Sequence, residues 1–198
     1  MYLLIVHVFD KLEVMILKEN RRIKYTKLVL KNSLLTLLKE KQITDITVKE
    51  LCEQADVNRS TFYNHYANHF DLKAQIENEM IEDLTQYLRM DNIEENADGL
   101  KMTEKLLEYI ATRQTECEAL LNENKISTFQ KKVEQLAHQS MMKNQLIKNN
   151  FNEYVRAFII SGSIQMIRLW MNNGLVESPK EMASLINQMV QNILMQEK

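Results

Sequence analysis

The chain has 198 residues, a formal net charge of −2, 45% apolar and 26% charged residues, enough for one domain, or one large and one small, with a real core. Only three Gly and one Pro occur; punctuators that scarce argue against many tight turns, and an all-α fold is expected. Cys52 and Cys117 stand far apart without a CxxC or Cys/His pattern, which disfavours a disulfide framework or zinc site and suits reduced thiols in a cytoplasmic protein.

The first apolar run, Tyr2 to Phe9, is interrupted by Asp10 and lacks a basic start or a small-residue cleavage site. It is a poor signal peptide and too short to span a bilayer. Residues 1–14 therefore read as an N-terminal extension, either loose or upstream of a true start at Met15. Residues 25–41 form a helix with Leu28, Leu34, Leu35 and Leu38 as its stripe and lysines opposite. After a break at Gln42 to Ile46, Thr47-Val48-Lys49-Glu50 is a capping box, with Ile46 and Leu51 at the staple positions.

The helix so started is brief, because Ala55-Asp56-Val57-Asn58 follows. Asp56 tolerates a left-handed turn and Asn58 caps the next helix, Arg59 to about His65. Asn68 with Asp71 caps a fourth helix, reaching about Leu88. Two short helices around a four-residue turn have helix-turn-helix geometry, whose second helix can enter a major groove. Phe62 and Tyr66 fall on its inner face, while Arg59 with Tyr63, and Ser60 with Asn64, share the outer one.

Residues 91–99 read as an acidic loop, followed by helices from Leu100 to about Leu121, Phe129 to Ile147 and Phe151 to Asn173. The last of these has two apolar stripes, one through Val155, Phe158, Ile159, Met166 and Trp170, the other through Ile160, Ile164, Ile167 and Met171. Such a helix is buried on two sides. Gly174 ends it, and Ser178-Pro179-Lys180-Glu181 opens a final helix with Leu185, Met189 and Ile193 on its apolar stripe. The last two helices carry more apolar surface than one small bundle needs, so homodimerisation through Ile160, Ile164, Ile167, Met171, Leu185, Met189 and Ile193 is expected.

Charge is divided along the chain: residues 15–75 hold eleven Lys/Arg against seven Asp/Glu, and residues 76–198 hold thirteen against eighteen. A basic front suits contact with a polyanion.

The stretch "ITVKELCEQADVNRSTFYNHYANHFDL" resembles the DNA-binding region of TetR-family transcriptional regulators, through Thr47-Val48, Leu51-Cys52, Ala55 to Asn58, Thr61-Phe62-Tyr63 and His65-Tyr66. The segment from Tyr154 to Ile186 further resembles the C-terminal domain of a subgroup that includes a dihydroxyacetone kinase operon regulator. The resemblance implies a helix-turn-helix domain over residues 15–67 and a helical effector-binding and dimerisation domain over 68–198. It departs from the family at Asp56, the usual turn Gly, at Asn58, commonly Ser, and at His69, where a phosphate-contacting Lys is frequent. A phosphate contact from His69 is thus conditional on its protonation.

The expected DNA contacts are Arg59, Ser60, Thr61, Tyr63, Asn64 and His65, with Thr47 and Lys49 touching phosphates and His69 as the conditional member. If a small-molecule cavity exists, family analogy places it in the second domain, with Met102, Leu106, Tyr109, Ile110, Phe129, Met141, Tyr154, Phe158 and Trp170 as candidate lining. No nucleophile motif, phosphate loop or metal-ligand cluster is visible, so no catalytic residue, metal or cofactor is expected. The expectation is a cytoplasmic, non-enzymatic, homodimeric regulator with no membrane partner that binds a palindromic operator. Repression relieved by a small molecule is the family default; the alternative is a regulator or activator whose C-terminal domain takes a protein co-regulator.

Overall fold

The structure, a computed structural model, describes residues 2–89, 99–121, 128–143 and 153–195, with side chains described for 20–89, 99–121, 128–138 and 153–195. The described residues contain helices and no strand: α1 (Tyr2–Glu40), a 3₁₀ turn (Ile43–Asp45), α2 (Val48–Ala55), α3 (Arg59–Tyr63), α4 (His69–Arg89), α5 (Gly99–Thr112), α6 (Gln114–Leu121), α7 (Thr128–Lys143), α8 (Glu153–Asn172) and α9 (Pro179–Met195). The chain divides into two units, Met1–Ile76 and Glu77–Lys198. That boundary falls inside α4, whose buried Leu72 and Ile76 lie in the first unit. No break marks residue 14, since α1 is one helix from Tyr2.

In the first unit, α1 packs on α2 and α2 on α3. Leu30, Leu34, Leu35, Leu37 and Leu38 of α1 meet a core that includes Ile46, Leu51, Phe62 and Tyr66. Leu28, placed on the apolar stripe by its spacing, is instead exposed, although Leu35, two turns on along the same face, is buried.

In the second unit α9 packs on α5, and α8 on α6 and α7. One helix was expected over 100–121, yet α5 and α6 part at Arg113, whose N–H is shared between the Tyr109 and Ile110 carbonyls at 3.1 Å each. The three consecutive buried residues Ala119, Leu120 and Leu121 enclose α6 on more than one side, which a single continuing stripe does not provide. The Arg113 guanidinium reaches Glu116 at 3.4 Å and Asp83 at 3.5 Å, bracing the junction. Glu77, on α4, is 1% exposed and accepts from Thr128 Oγ1 at 2.6 Å and Lys132 Nζ at 2.9 Å. These bonds tie α7 to α4 and offset the cost of burying a carboxylate.

The α8–α9 connection is closed by a Schellman pair: Gly174 N–H donates to Met171 O and Leu175 N–H to Trp170 O, with φ of 80° at Gly174 and 56° at Leu175. Trp170 Nε1 donates to the Glu177 carbonyl at 2.9 Å. The Ser178 box then starts α9 reciprocally, Glu181 N–H to Ser178 Oγ at 3.3 Å and Ser178 N–H to Glu181 Oε2 at 2.8 Å. The Ser178 hydroxyl also donates to Glu181 Oε2 at 2.7 Å, and this bond first, with the Ser178 N–H second, holds the Glu181 carboxyl below the usual range. Replacing Ser178 with Ala should lower unfolding free energy by about 1 kcal/mol, read from the denaturant midpoint with the slope unchanged.

Candidate nucleic-acid interface

The site is built by three caps and one buried ring. Thr47 Oγ1 accepts from Glu50 N–H at 3.1 Å and starts α2. The Glu50 carboxylate is held by Lys41 Nζ at 2.5 Å, which chiefly lowers its pKa, with the Thr47 amide adding a smaller pull. Asp56 ends α2 in the left-handed region at φ 51°, a position Asp accepts at modest cost. Val57 N–H closes the turn on Cys52 O at 3.0 Å. Asn58 Oδ1 then accepts from both the backbone N–H and the hydroxyl of Ser60 at 3.0 Å. Finally Asn68 Oδ1 takes Asp71 N–H, and Asp71 Oδ2 takes Ala67 N–H, both at 2.9 Å, fixing the start of α4.

Between these caps, Phe62 has no exposed surface, its ring set edge-on to Tyr63 at 5.4 Å and tilted to Tyr66 at 5.6 Å. Burying Phe62 and Tyr66 turns the other side of α3 outward: Arg59, Ser60, Tyr63 and Asn64 are exposed, Tyr63 to 57%. Thr61 and His65 are half-buried, while Thr47 and Lys49 are exposed on α2, Lys49 lying 3.9 Å from Glu53.

His69 departs from the expected set. Both ring nitrogens are buried without a hydrogen bond of good geometry, and the ring lies 4.2 Å from Phe70. Burial lowers its pKa below the ordinary 6.5, and the nearby Ile43 carbonyl pulls it only partly back. A neutral imidazole turned inward offers nothing to a phosphate, so the conditional contact assigned to His69 is withdrawn. Phe70, on the same first turn, is exposed instead.

In the second unit the expected dimer residues Ile160, Ile164, Ile167 and Met171 are buried within the subunit. The two stripes of α8 merge into one broad inward face, as the helix is covered by α6 and α7. The outward face carries Tyr154, Phe158 and Leu169, exposed to 80, 66 and 58%, while Leu185 and Met189 are exposed and Ile193 half-buried on α9. Tyr154 and Phe158 are therefore not on the same side of α8 as Trp170. Tyr109, Ile110, Phe129 and Trp170 are buried, Met102 and Leu106 half-buried, and the Met141 side chain lies outside the described residues. Tyr109 donates its hydroxyl to Met80 O at 3.2 Å, and burial pushes its pKa up to about 12.

Both thiols are buried. Burial raises the pKa of Cys52, and burial aided by Glu116 pushes Cys117 up to about 12, which keeps them protonated and unreactive. Among the described residues no group of three His, Cys, Asp or Glu could hold a metal, and no helix is long and apolar enough to cross a membrane.

A short capped helix backed by its own hydrophobic anchor, following α2 across the turn from Asp56 to Asn58, has helix-turn-helix geometry. Residues 98–192 match a TetR family model described as the transcriptional regulator C-terminal region. The fold is shared with a TetR transcriptional regulator from Streptococcus agalactiae (TM-score 0.67, 19% identity, 88% of this chain and 98% of that one). A TetR-family regulator of Syntrophomonas wolfei is similar too (0.65, 13%, 86% and 95%), as is the dihydroxyacetone kinase operon activator DhaS (0.50, 16%, 84% and 94%). No curated protein matches the sequence. Residues 98–192, just under half of the chain, thus resemble the C-terminal region of TetR-type transcriptional regulators, and the chain shares the fold of these solved structures.

The buried, neutral His69 gives the first unit a pH dependence. The unfolded imidazole binds a proton near 6.5 and the folded one only at lower pH, so stability is full above that value and falls on acidification. His69→Phe should flatten the loss of melting temperature below pH 6.5 that the wild type shows; an equal loss in both would assign it to other groups.

Proposed function

We propose that the chain binds a specific, roughly palindromic DNA operator as a homodimer and regulates transcription from it. The observation that carries this reading is the division of α3 into two faces, Phe62 fully buried and Arg59, Ser60, Tyr63 and Asn64 turned outward. Arg59 suits a guanine edge and Asn64 an adenine edge, while Ser60, Thr61 and Tyr63 suit the backbone. Thr47 and Lys49 add contacts at the start of α2, and His65, half-buried, is a marginal member. A second subunit would set its own α3 one helical turn away, about 34–36 Å along the duplex.

The dimer surface follows the exposed residues: Tyr154, Phe158 and Leu169 of α8 with Leu185 and Met189 of α9. This patch replaces Ile160, Ile164, Ile167 and Met171, which the subunit consumes in its own core. An effector acts by favouring a dimer whose two α3 helices no longer match the operator spacing. A small molecule bound within the second unit and relieving repression is the first form of this reading, in the cytoplasm. A protein co-regulator is the second, favoured by the outward placement of Tyr154 and Phe158, two residues expected to line a pocket.

Selection of bound duplexes from a random pool should return a two-fold symmetric sequence; retention of no duplex, or of sequences without symmetry, would overturn the proposal. Arg59→Ala should weaken binding roughly 10-fold or more and relax preference at one position of each half-site. Phe158→Asp with Leu169→Asp should give a folded monomer by sedimentation and lose most operator affinity, since each half-site is then held alone.

A further inference from the structure

The net positive charge of the first unit lies on one helix, α1, that is no part of the helix-turn-helix. From Asn20 to Lys39 the sequence has six Lys/Arg and no Asp/Glu. From Glu40 to Ile76 it has four Lys/Arg against six Asp/Glu, a balance of −2. Of those four cations, Lys41 is bonded to Glu50, Lys49 lies 3.9 Å from Glu53, and Lys73 is buried, so Arg59 alone is an exposed cation without an ion-pair partner among the described residues. With His69 neutral and inward, the first turn of α4 supplies none.

An acidic reading motif faces a difficulty. A duplex carries one negative charge per ~1.7 Å of axis, and phosphate neutralisation supplies much of the affinity of DNA-binding proteins. The helix-turn-helix by itself cannot supply that charge. On α1, Arg21, Lys24 and Lys27 are exposed and have no ion-pair partner among the described residues. They are spaced three apart, along one flank of the helix. Solvated helix faces ordinarily mix charges of both signs; this one carries a single sign for five turns.

We propose that the flank of α1 bearing Arg21, Lys24 and Lys27 is a second DNA-binding surface, which grips backbone phosphates while α3 reads base edges. The proposal rests on the reading that the chain binds DNA. It assigns affinity and specificity to different helices: α1 supplies the sequence-independent attraction and α3 the choice of site.

The test is a salt series on a duplex recovered by selection, with wild type, Lys24→Gln/Lys27→Gln and the charge-conserving Lys24→Arg/Lys27→Arg. Both positions are exposed, and equal helix content and melting temperature are checked first. The Gln variant should lower the slope of log affinity against log salt by roughly 0.9 per cation and subunit, or roughly 3 to 4 for a dimer. Its affinity loss should be greatest at low salt, its preferred sequence unchanged, and the Arg variant should restore the slope. Lys180→Gln, exposed on α9, should change nothing. An unchanged slope in the Gln variant, with Arg59→Ala still weakening binding, overturns the α1 surface alone. A changed sequence preference overturns the phosphate assignment. A wild type that binds no duplex overturns the reading beneath it.

Discussion

A helix of five residues cannot hold itself together, and α3 is such a helix. Nucleation fixes several dihedrals before any bond rewards it, so a segment this short is helical only where its surroundings make it so. Phe62 provides the surroundings: wholly buried, it draws α3 against the rest of the unit, and losing it would remove roughly 3–5 kcal/mol. Asn58 stops the chain from starting the helix elsewhere, and the Asn68–Asp71 box begins α4 only five residues after α3 ends. The outward set of Arg59, Ser60, Tyr63 and Asn64 is therefore positioned by one fully buried ring and by polar caps at the surface on either side of it.

What could be read from the sequence was what depends on neighbours along it. Three helix starts, at Thr47, Asn58 and Ser178, rest on side chains reaching amides two or three residues away, and each forms as its spacing implies. The turn at Asp56 and the end at Gly174 are likewise local, set by which residues tolerate positive φ. What could not be read depends on partners distant in the chain. The split between α5 and α6 answers to how α6 is enclosed by α7 and α8, which no run of apolar residues announces. For the same reason α8 hides Ile160, Ile164, Ile167 and Met171 and shows Tyr154 and Phe158: two apolar stripes reveal that a helix is widely covered, not which edge stays bare.

His69 shows the limit of transferring a role by position. Its place at the start of α4 is where the resemblance implies a lysine, but an imidazole is shorter than a lysine stem and less strongly hydrated when neutral. The half-buried ring lies beside Phe70 with both nitrogens turned away from solvent. Basicity in the first unit has moved to α1 instead, where long side chains keep their charged ends in water.

The Glu77 carboxylate sets how α7 can leave α4. Its partners, Thr128 and Lys132, are one turn apart at the start of α7. Loosening either alone strands part of a charge that has 1% of its surface exposed, and breaking such a pair costs about 3–5 kcal/mol. Partial fraying is thus penalised more than complete departure, in which water reaches the carboxylate and solvates it. The junction between these helices is a two-position contact, docked or open, and hydrogen exchange across the first turns of α7 should therefore occur in a single concerted opening rather than residue by residue.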